Sequence, residues 1–147
     1  MTRSSSGVTL LELLIVLMLM ALIAAVTLPI FGPGISTTEL RSAAREVAAG
    51  LRLARGQAIA QRTEAMLVID VATRSFIVPP DARVHALPAG IELKLFTAQR
   101  DLVSDQVGTL RFYPDGGSNG GRVTLAAGER KYDVDVDWLT GRVAILE

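Results

Sequence analysis

The chain has 147 residues, half of them hydrophobic, with 15 basic and 15 acidic side chains and no cysteine. Zero net charge gives no bulk attraction to nucleic acid or anionic lipid, and the lack of cysteine excludes disulfides, thiol chemistry and thiolate metal sites. The length suits one small domain plus an anchor.

In chain order, the first feature is Gly7-Val8-Thr9-Leu10-Leu11-Glu12 and the apolar run behind it. Residues 8–31 contain a single charged side chain, Glu12. As a helix that run is about 36 Å long, at about 1.5 Å per residue, and can span a hydrocarbon core of about 30 Å with some tilt. A secretory signal peptide cut near Ala24-Ala25 would carry a shorter apolar region, of about 7–15 residues. A carboxylate at the centre of a membrane helix costs roughly 2.5–3.5 kcal/mol, and less near its end. Glu12 therefore reads as functional and requires a positive partner. Arg3 precedes the span, and positive residues stay cytoplasmic, so residues 32–147 are expected in the periplasm. Pro29 removes a backbone donor and predicts a kink over residues 25–28. Gly32-Pro33-Gly34 then breaks or bends the helix.

Ser36-Thr37-Thr38-Glu39 fits a capping box. Leu40, Ala44, Val47, Leu51, Ala54 and Ala58 follow at the spacing of one helical face, which predicts a helix over 37–62. Its other side carries Arg41, Arg45, Glu46, Arg52, Arg55 and Arg62. That side reads as a solvated face or as a contact for acidic neighbours in an assembly. Gly50 and Gly56 either weaken the helix by about 1 kcal/mol each relative to Ala or mark close packing. From Ala65 the period changes. Residues 66–71 and 76–78 form a predicted hairpin around Thr73-Arg74-Ser75, closed by Pro79-Pro80. Residues 81–90 read as loop, 91–95 as a half-buried strand, and 98–108 as a surface excursion. Further strands are expected at 109–113, 122–126, 131–137 and 142–146. One long helix followed by six or seven short strands is an α+β pattern, with an antiparallel β-sheet packed on the helix.

Two groups of residues resemble a known family. Gly7, Thr9-Leu10-Leu11-Glu12 and the apolar run resemble the start of type IV pilins and pseudopilins, with Val8 where Phe is usual. Phe112-Tyr113-Pro114-Asp115-Gly116-Gly117-Ser118-Asn119-Gly120-Gly121 resembles the F-x-P-D-G-x-S-x-G-G turn of the GspH/FimT group of minor pilins and pseudopilins. Val136-Asp137-Trp138-Leu139-Thr140-Gly141-Arg142-Val143 resembles the closing hairpin of the same domain. The resemblance implies a pilin-like fold with residues 1–7 as leader, 8–31 as transmembrane helix and 36–147 as periplasmic domain. It implies a prepilin peptidase that cuts after Gly7 and methylates Val8. The implied role is a minor pseudopilin of a type II secretion system in the bacterial inner membrane, with its amino terminus cytoplasmic. The alternative is a FimT-like minor type IV pilin for pilus assembly or DNA uptake. Partners would be other pseudopilins or pilins through the amino-terminal helix, inner-membrane lipid and secreted protein cargo. Cutting after Gly7 would place an ammonium at Val8, four residues and about 6 Å from Glu12. Among parallel copies shifted by one turn, each amine would meet a neighbour's Glu12; the amine could also pair with its own Glu12, so the spacing alone does not prove assembly.

Other candidate sites are thin. Asp115, Ser118 and Asn119 offer oxygens, but the ligand series of a calcium loop is missing, so no metal is expected. Asp133, Asp135 and Asp137 alternate and share one face, as a solvated surface does. Trp138 is expected as a core or edge anchor. His85 is the only histidine and lacks triad partners nearby in sequence. No phosphate loop, zinc spacing or dinucleotide fingerprint occurs, so neither a cofactor nor enzyme activity is expected. Residues 109–147 hold five basic and six acidic side chains, a balance that disfavours nucleic acid.

Overall fold

The structure is a computed structural model that describes residues 9–27, 34–97, 104 and 106–147, with backbone only for 24–27. It divides into two compact units, Met1–Gly34 and Ile35–Glu147. The first contains α1, Leu10–Thr27. Its described side chains, from Leu10 to Ile23, are all exposed. A helix apolar on every side has no face of its own to turn to water. At 18 residues it is the longest helix described in this unit, and no helix among the described residues is long and apolar enough to cross a membrane. Of the expected 8–31 span, residues 8 and 28–31 lie outside the described residues, as do Pro29 and Gly32-Pro33.

The second unit opens with α2, Thr37–Gln61. Ser36 is its N-cap, and the capping box is complete: Ser36 Oγ accepts from Glu39 N at 3.1 Å, and Glu39 Oε2 accepts from Ser36 N at 2.9 Å. Bonding to Oε2 from the Ser36 backbone N above all, then from the Ser36 hydroxyl, holds the Glu39 carboxyl below its ordinary range. The helix ends at Arg62, a C-cap in the left-handed region with φ 54°. Its buried stripe is Leu40, Ala43, Ala44, Val47, Ala48, Gly50, Leu51, Ala54 and Ala58, mostly small residues that admit close approach of strands.

Eight strands follow: β1 Ala65–Asp70, β2 Ser75–Ile77, β3 His85–Ala86, β4 Glu92–Phe96, β5 Val107–Phe112, β6 Gly121–Ala127, β7 Arg130–Val136 and β8 Val143–Leu146. They form two antiparallel sheets rather than one. The first has the order β3-β2-β1-β5 and the second β4-β6-β7-β8. α2 packs on β1 and β5 of the first sheet and on β6, β7 and β8 of the second. Leu67 opposite Leu110, and Val123 opposite Val134, send apolar pairs into the common core. Residues 81–90 are not all loop: β3 pairs His85 with Phe76. The β1–β2 turn is closed by Asp70, whose Oδ1 accepts from Ala72 N and Thr73 N at 2.9 and 3.1 Å.

The two glycines of α2 separate by environment. A Cβ on Gly50 would lie 2.7 Å from Phe76 Cε2 and 3.0 Å from Leu67 Cδ1, whereas one on Gly56 would meet nothing within 4 Å. Gly50→Ala should therefore destabilise the fold, because overpacking of about 1–3 kcal/mol outweighs a propensity gain of about 1 kcal/mol. Gly56→Ala should stabilise it by about 0.5–1 kcal/mol. Chemical denaturation of both variants checks the opposite signs.

Candidate functional site

Gly7 and Val8 lie outside the described residues; Glu12 is within them. α1 starts with a local device that the sequence reading missed. Thr9 Oγ1 accepts from Glu12 N at 3.2 Å, and Thr9 O accepts from Leu13 N at 3.1 Å. Thr9 is thus the N-cap, and Glu12 is the third residue of the first turn. A carboxylate there meets the positive end of the helix macrodipole. Glu12 consequently has a local role in starting the helix, and its side chain stays exposed.

A second constellation lies in Ile35–Glu147, where α2 meets two loops. Arg55 Nε donates to Gly116 O at 3.1 Å and to Thr140 O at 3.2 Å; Nη2 donates to Thr140 O at 3.0 Å. One half-buried guanidinium thereby ties α2 to the 113–120 loop and to the 137–142 turn. The loop and the turn are also joined directly. Ser118, itself buried, donates its hydroxyl to Asp137 O at 2.9 Å, and Ser118 N donates to Trp138 O at 2.9 Å. Gly141, at φ +62°, leaves no room for a Cβ, which would collide with the Gly116 carbonyl.

The polar atoms of the 113–120 loop are committed to its own fold. Asp115 Oδ1 accepts from Gly117 N at 2.9 Å. Asn119 Oδ1 accepts from Arg111 N at 2.9 Å, and Asn119 N donates to Arg111 O at 3.0 Å. Asn119 thus pairs with the β5 edge as a strand residue would, and Phe112 bridges to Ser118. This pairing covers the Arg111–Phe112 end of the β5 edge just before β6 joins the second sheet. Among the described residues no group of three or more His, Asp or Glu is placed to hold a metal ion.

The aspartates of β7 and the turn that follows it each have their own partner. Asp133 accepts from Thr124 Oγ1 at 2.6 Å, and Asp135 accepts from Arg122 Nε at 3.0 Å. Asp137 Oδ1 accepts from Thr140 N, Thr140 Oγ1 and Leu139 N. Bonding from the Thr140 backbone above all, then from its hydroxyl, holds the Asp137 carboxyl below its ordinary value of 3.8. His85 stacks on Phe76, with ring centroids 4.8 Å apart, and its Nδ1 lies 3.1 Å from Glu46 Oε1. Two expectations need correction. Trp138 is 67 % exposed and not a core residue, because the turn spends its backbone on Ser118 and throws the indole outward. Arg55 belongs not to a solvated face but to a joint inside the fold. No sequence signal marks Arg55 apart from the other arginines of α2; Thr9-x-x-Glu12 does carry the capping-box spacing.

A helix whose stripe of small residues packs on antiparallel strands, in a chain that also has an apolar helix bearing one carboxylate, defines a pilin-like protein. Solved structures agree on the fold. The type IV minor pilin FimU of Pseudomonas aeruginosa matches with a TM-score of 0.58 and 18% identity, over 75% of this chain and 90% of that one. The minor pseudopilin EpsH from the type 2 secretion system of Vibrio cholerae matches with a TM-score of 0.59 and 16% identity, over 74% and 96%. The family model for type II transport protein GspH matches residues 43–140, and that for the prokaryotic N-terminal methylation motif matches residues 2–28. The type II secretion system protein H of Xanthomonas campestris pv. campestris is 39% identical over 142 residues, 96% of this chain and 83% of that protein. The chain belongs to the GspH family.

Arg55→Ala should cost about 1.5–3 kcal/mol, the usual size for hydrogen bonds from a charged donor. It should also raise hydrogen exchange in both the 113–120 loop and the 137–142 turn; a loss confined to α2 would contradict the joint. Asp137 gives a pH prediction. Its folded pKa is depressed, so its contribution is present above the unfolded value near 3.8 and is lost as pH falls through the folded pKa. Asp137→Asn should therefore lower stability at neutral pH and flatten its decline at acid pH, as read by thermal melts across that range.

Proposed function

We propose that this chain is a minor pseudopilin of a type II secretion system, a structural subunit built into a periplasmic filament through its amino-terminal helix. The 39% identity to a type II secretion system protein H across 96% of the chain carries this reading. The fold alone does not choose, since a type IV minor pilin and a pseudopilin match it with nearly equal TM-scores. In this reading residues 1–7 are a leader removed by prepilin peptidase, 8–31 anchor the chain in the inner membrane, and 36–147 stand in the periplasm. Val8 becomes a methylated amine, and Glu12 pairs with the amine of a neighbouring subunit. The role is structural and involves no catalysis. Secreted cargo and membrane lipid are further contacts of such a filament.

The mechanism follows from charge in an apolar medium. An unpaired ammonium or carboxylate is strongly disfavoured there, and a pair with good geometry is tolerated. An all-apolar helix with one carboxylate near its start therefore associates in a fixed register, the one that brings Glu12 to an amine. Thr9 sharpens this by fixing where the helix begins. The helix cap itself uses the Glu12 backbone, whose N donates to Thr9 Oγ1. Glu12→Gln therefore leaves that bond in place and removes only the charge.

Mass spectrometry of the membrane-extracted protein should show an amino terminus at methylated Val8. A terminus near Ala25 would overturn the filament reading. Glu12→Ala and Glu12→Gln should both be cut after Gly7 and reach normal membrane levels, yet lose crosslinks to other pseudopilins. Breaking one side of a buried pair implies roughly a hundredfold loss or more. If Glu12→Gln crosslinks as wild type, the charge pairing is wrong.

A further inference from the structure

A cleft of about 460 Å3 lies between α2 and the start of β8, lined by Arg52, Arg55, Thr140, Gly141, Arg142 and Val143. Three of these six residues are arginines and none is acidic. Arg52 and Arg55 are three apart on α2 and so share a face. Arg142 enters from the turn that Arg55 holds. The hydrogen bonds of Arg55 go to backbone carbonyls, which satisfy its donors without neutralising its charge. Arg52 makes one long bond, from Nη2 to Val143 O at 3.4 Å.

Some cations of this unit pair with carboxylates: Arg111 with Glu64, Arg122 with Asp135, Lys94 with Glu92 and Lys131 with Asp133. Among the described residues, the three arginines of the cleft are in no ion pair. Asp137 is on the same turn and its charge acts on Arg142, but its Oδ1 is committed to Leu139 and Thr140 and, among the described residues, it makes no ion pair with the cleft. A concave wall with one sign of charge focuses its field and favours an anion. The guanidinium fork suits the two oxygens of a carboxylate. Trp138 and Leu139 stand exposed on the same turn, at 67 % and 66 %. Exposed tryptophan beside arginine is the composition of a protein interface core. A nucleic-acid backbone demands a track of cations along its length, whereas these three converge on one spot.

We propose that the Arg52–Arg55–Arg142 cleft is a subunit contact that receives an aspartate or glutamate side chain from a neighbouring pilin-like subunit. This rests on the filament reading above and adds to it a contact outside the amino-terminal helix. Arg55 pins the turn and pre-positions one charge; Arg52 and Arg142 bind.

The test uses the full-length chain, expressed in its host and extracted in detergent, with copurified pilin-like subunits as the readout. Arg52→Glu with Arg142→Glu should cut copurification at least tenfold while leaving the melting temperature near wild type. Arg52→Gln with Arg142→Gln should give a smaller loss and serves if the reversed pair folds poorly. A Glu→Lys or Asp→Lys substitution in the partner that restores the reversed variant supports the proposal. Unchanged copurification by both double variants overturns the cleft contact and leaves the filament reading standing. A wild-type chain that retains no pilin-like subunit overturns the filament reading, and the contact with it. A mobility shift of a short single-stranded oligonucleotide, seen for wild type and lost in the double variants, would also overturn the proposal, assigning the cleft to nucleic acid.

Discussion

The folded unit depends on the small-residue stripe of α2. Ala43, Ala44, Ala48, Ala54 and Ala58 are buried with Leu40, Val47 and Leu51, and Gly50 lies against the Phe76 ring. Small side chains let one helix contact strands of two sheets at once, which a stripe of large residues would hold apart. A domain of this size buries a modest fraction of its surface, so one shared helix face is an efficient way to close the core. Everything further out is fixed relative to that face: the first sheet through β1 and β5, the second through β6, β7 and β8.

The next constraint is polar. The 113–120 loop and the 137–142 turn have few apolar side chains pointing inward, so packing alone cannot place them. Arg55 does so from the helix, and Ser118 and Asn119 do so from the loop. Glycine is required at 141 because the Gly116 carbonyl occupies the space a Cβ would take. The turn residues that resemble the GspH/FimT group are thus explained by backbone accounting: buried N–H and C=O groups need partners, and here side chains of the same loop supply several of them.

Much of this was legible in the sequence, for reasons specific to each element. The Ser36–Glu39 box and the apolar period of α2 placed the helix to within a residue of its observed end, because caps and periodicity are local. The β1–β2 hairpin was legible from its apolar, β-branched run and its polar turn. The division into two sheets was not, because which strands pair, such as β1 with β5 and β4 with β6, is set by contacts distant in sequence. β3 was missed because two residues carry no period. Trp138 was misplaced because aromatic burial is a tendency of composition, and a turn whose backbone is already bonded can face its side chain outward. Arg55 could not be told from Arg52 or Arg45 by type or spacing; only the carbonyls opposite it distinguish them.

The two units present opposite surface problems, and both point outward from the single chain. In the first, α1 is apolar on every described side apart from one carboxylate, and an apolar medium tolerates that carboxylate only with a positive partner. In the second, the carboxylates of β7 and the turn after it are bonded within the domain, while three arginines share a cleft that holds no acid. Arg111 and Arg122 are neutralised internally, whereas Arg52, Arg55 and Arg142 meet in one cleft without an ion pair among the described residues. Such clustering works against the isolated fold through like-charge repulsion, which the carboxylate proposed for the cleft would relieve. On that proposal the apolar helix and the cationic cleft are the two surfaces at which assembly, rather than the isolated subunit, supplies further stabilisation.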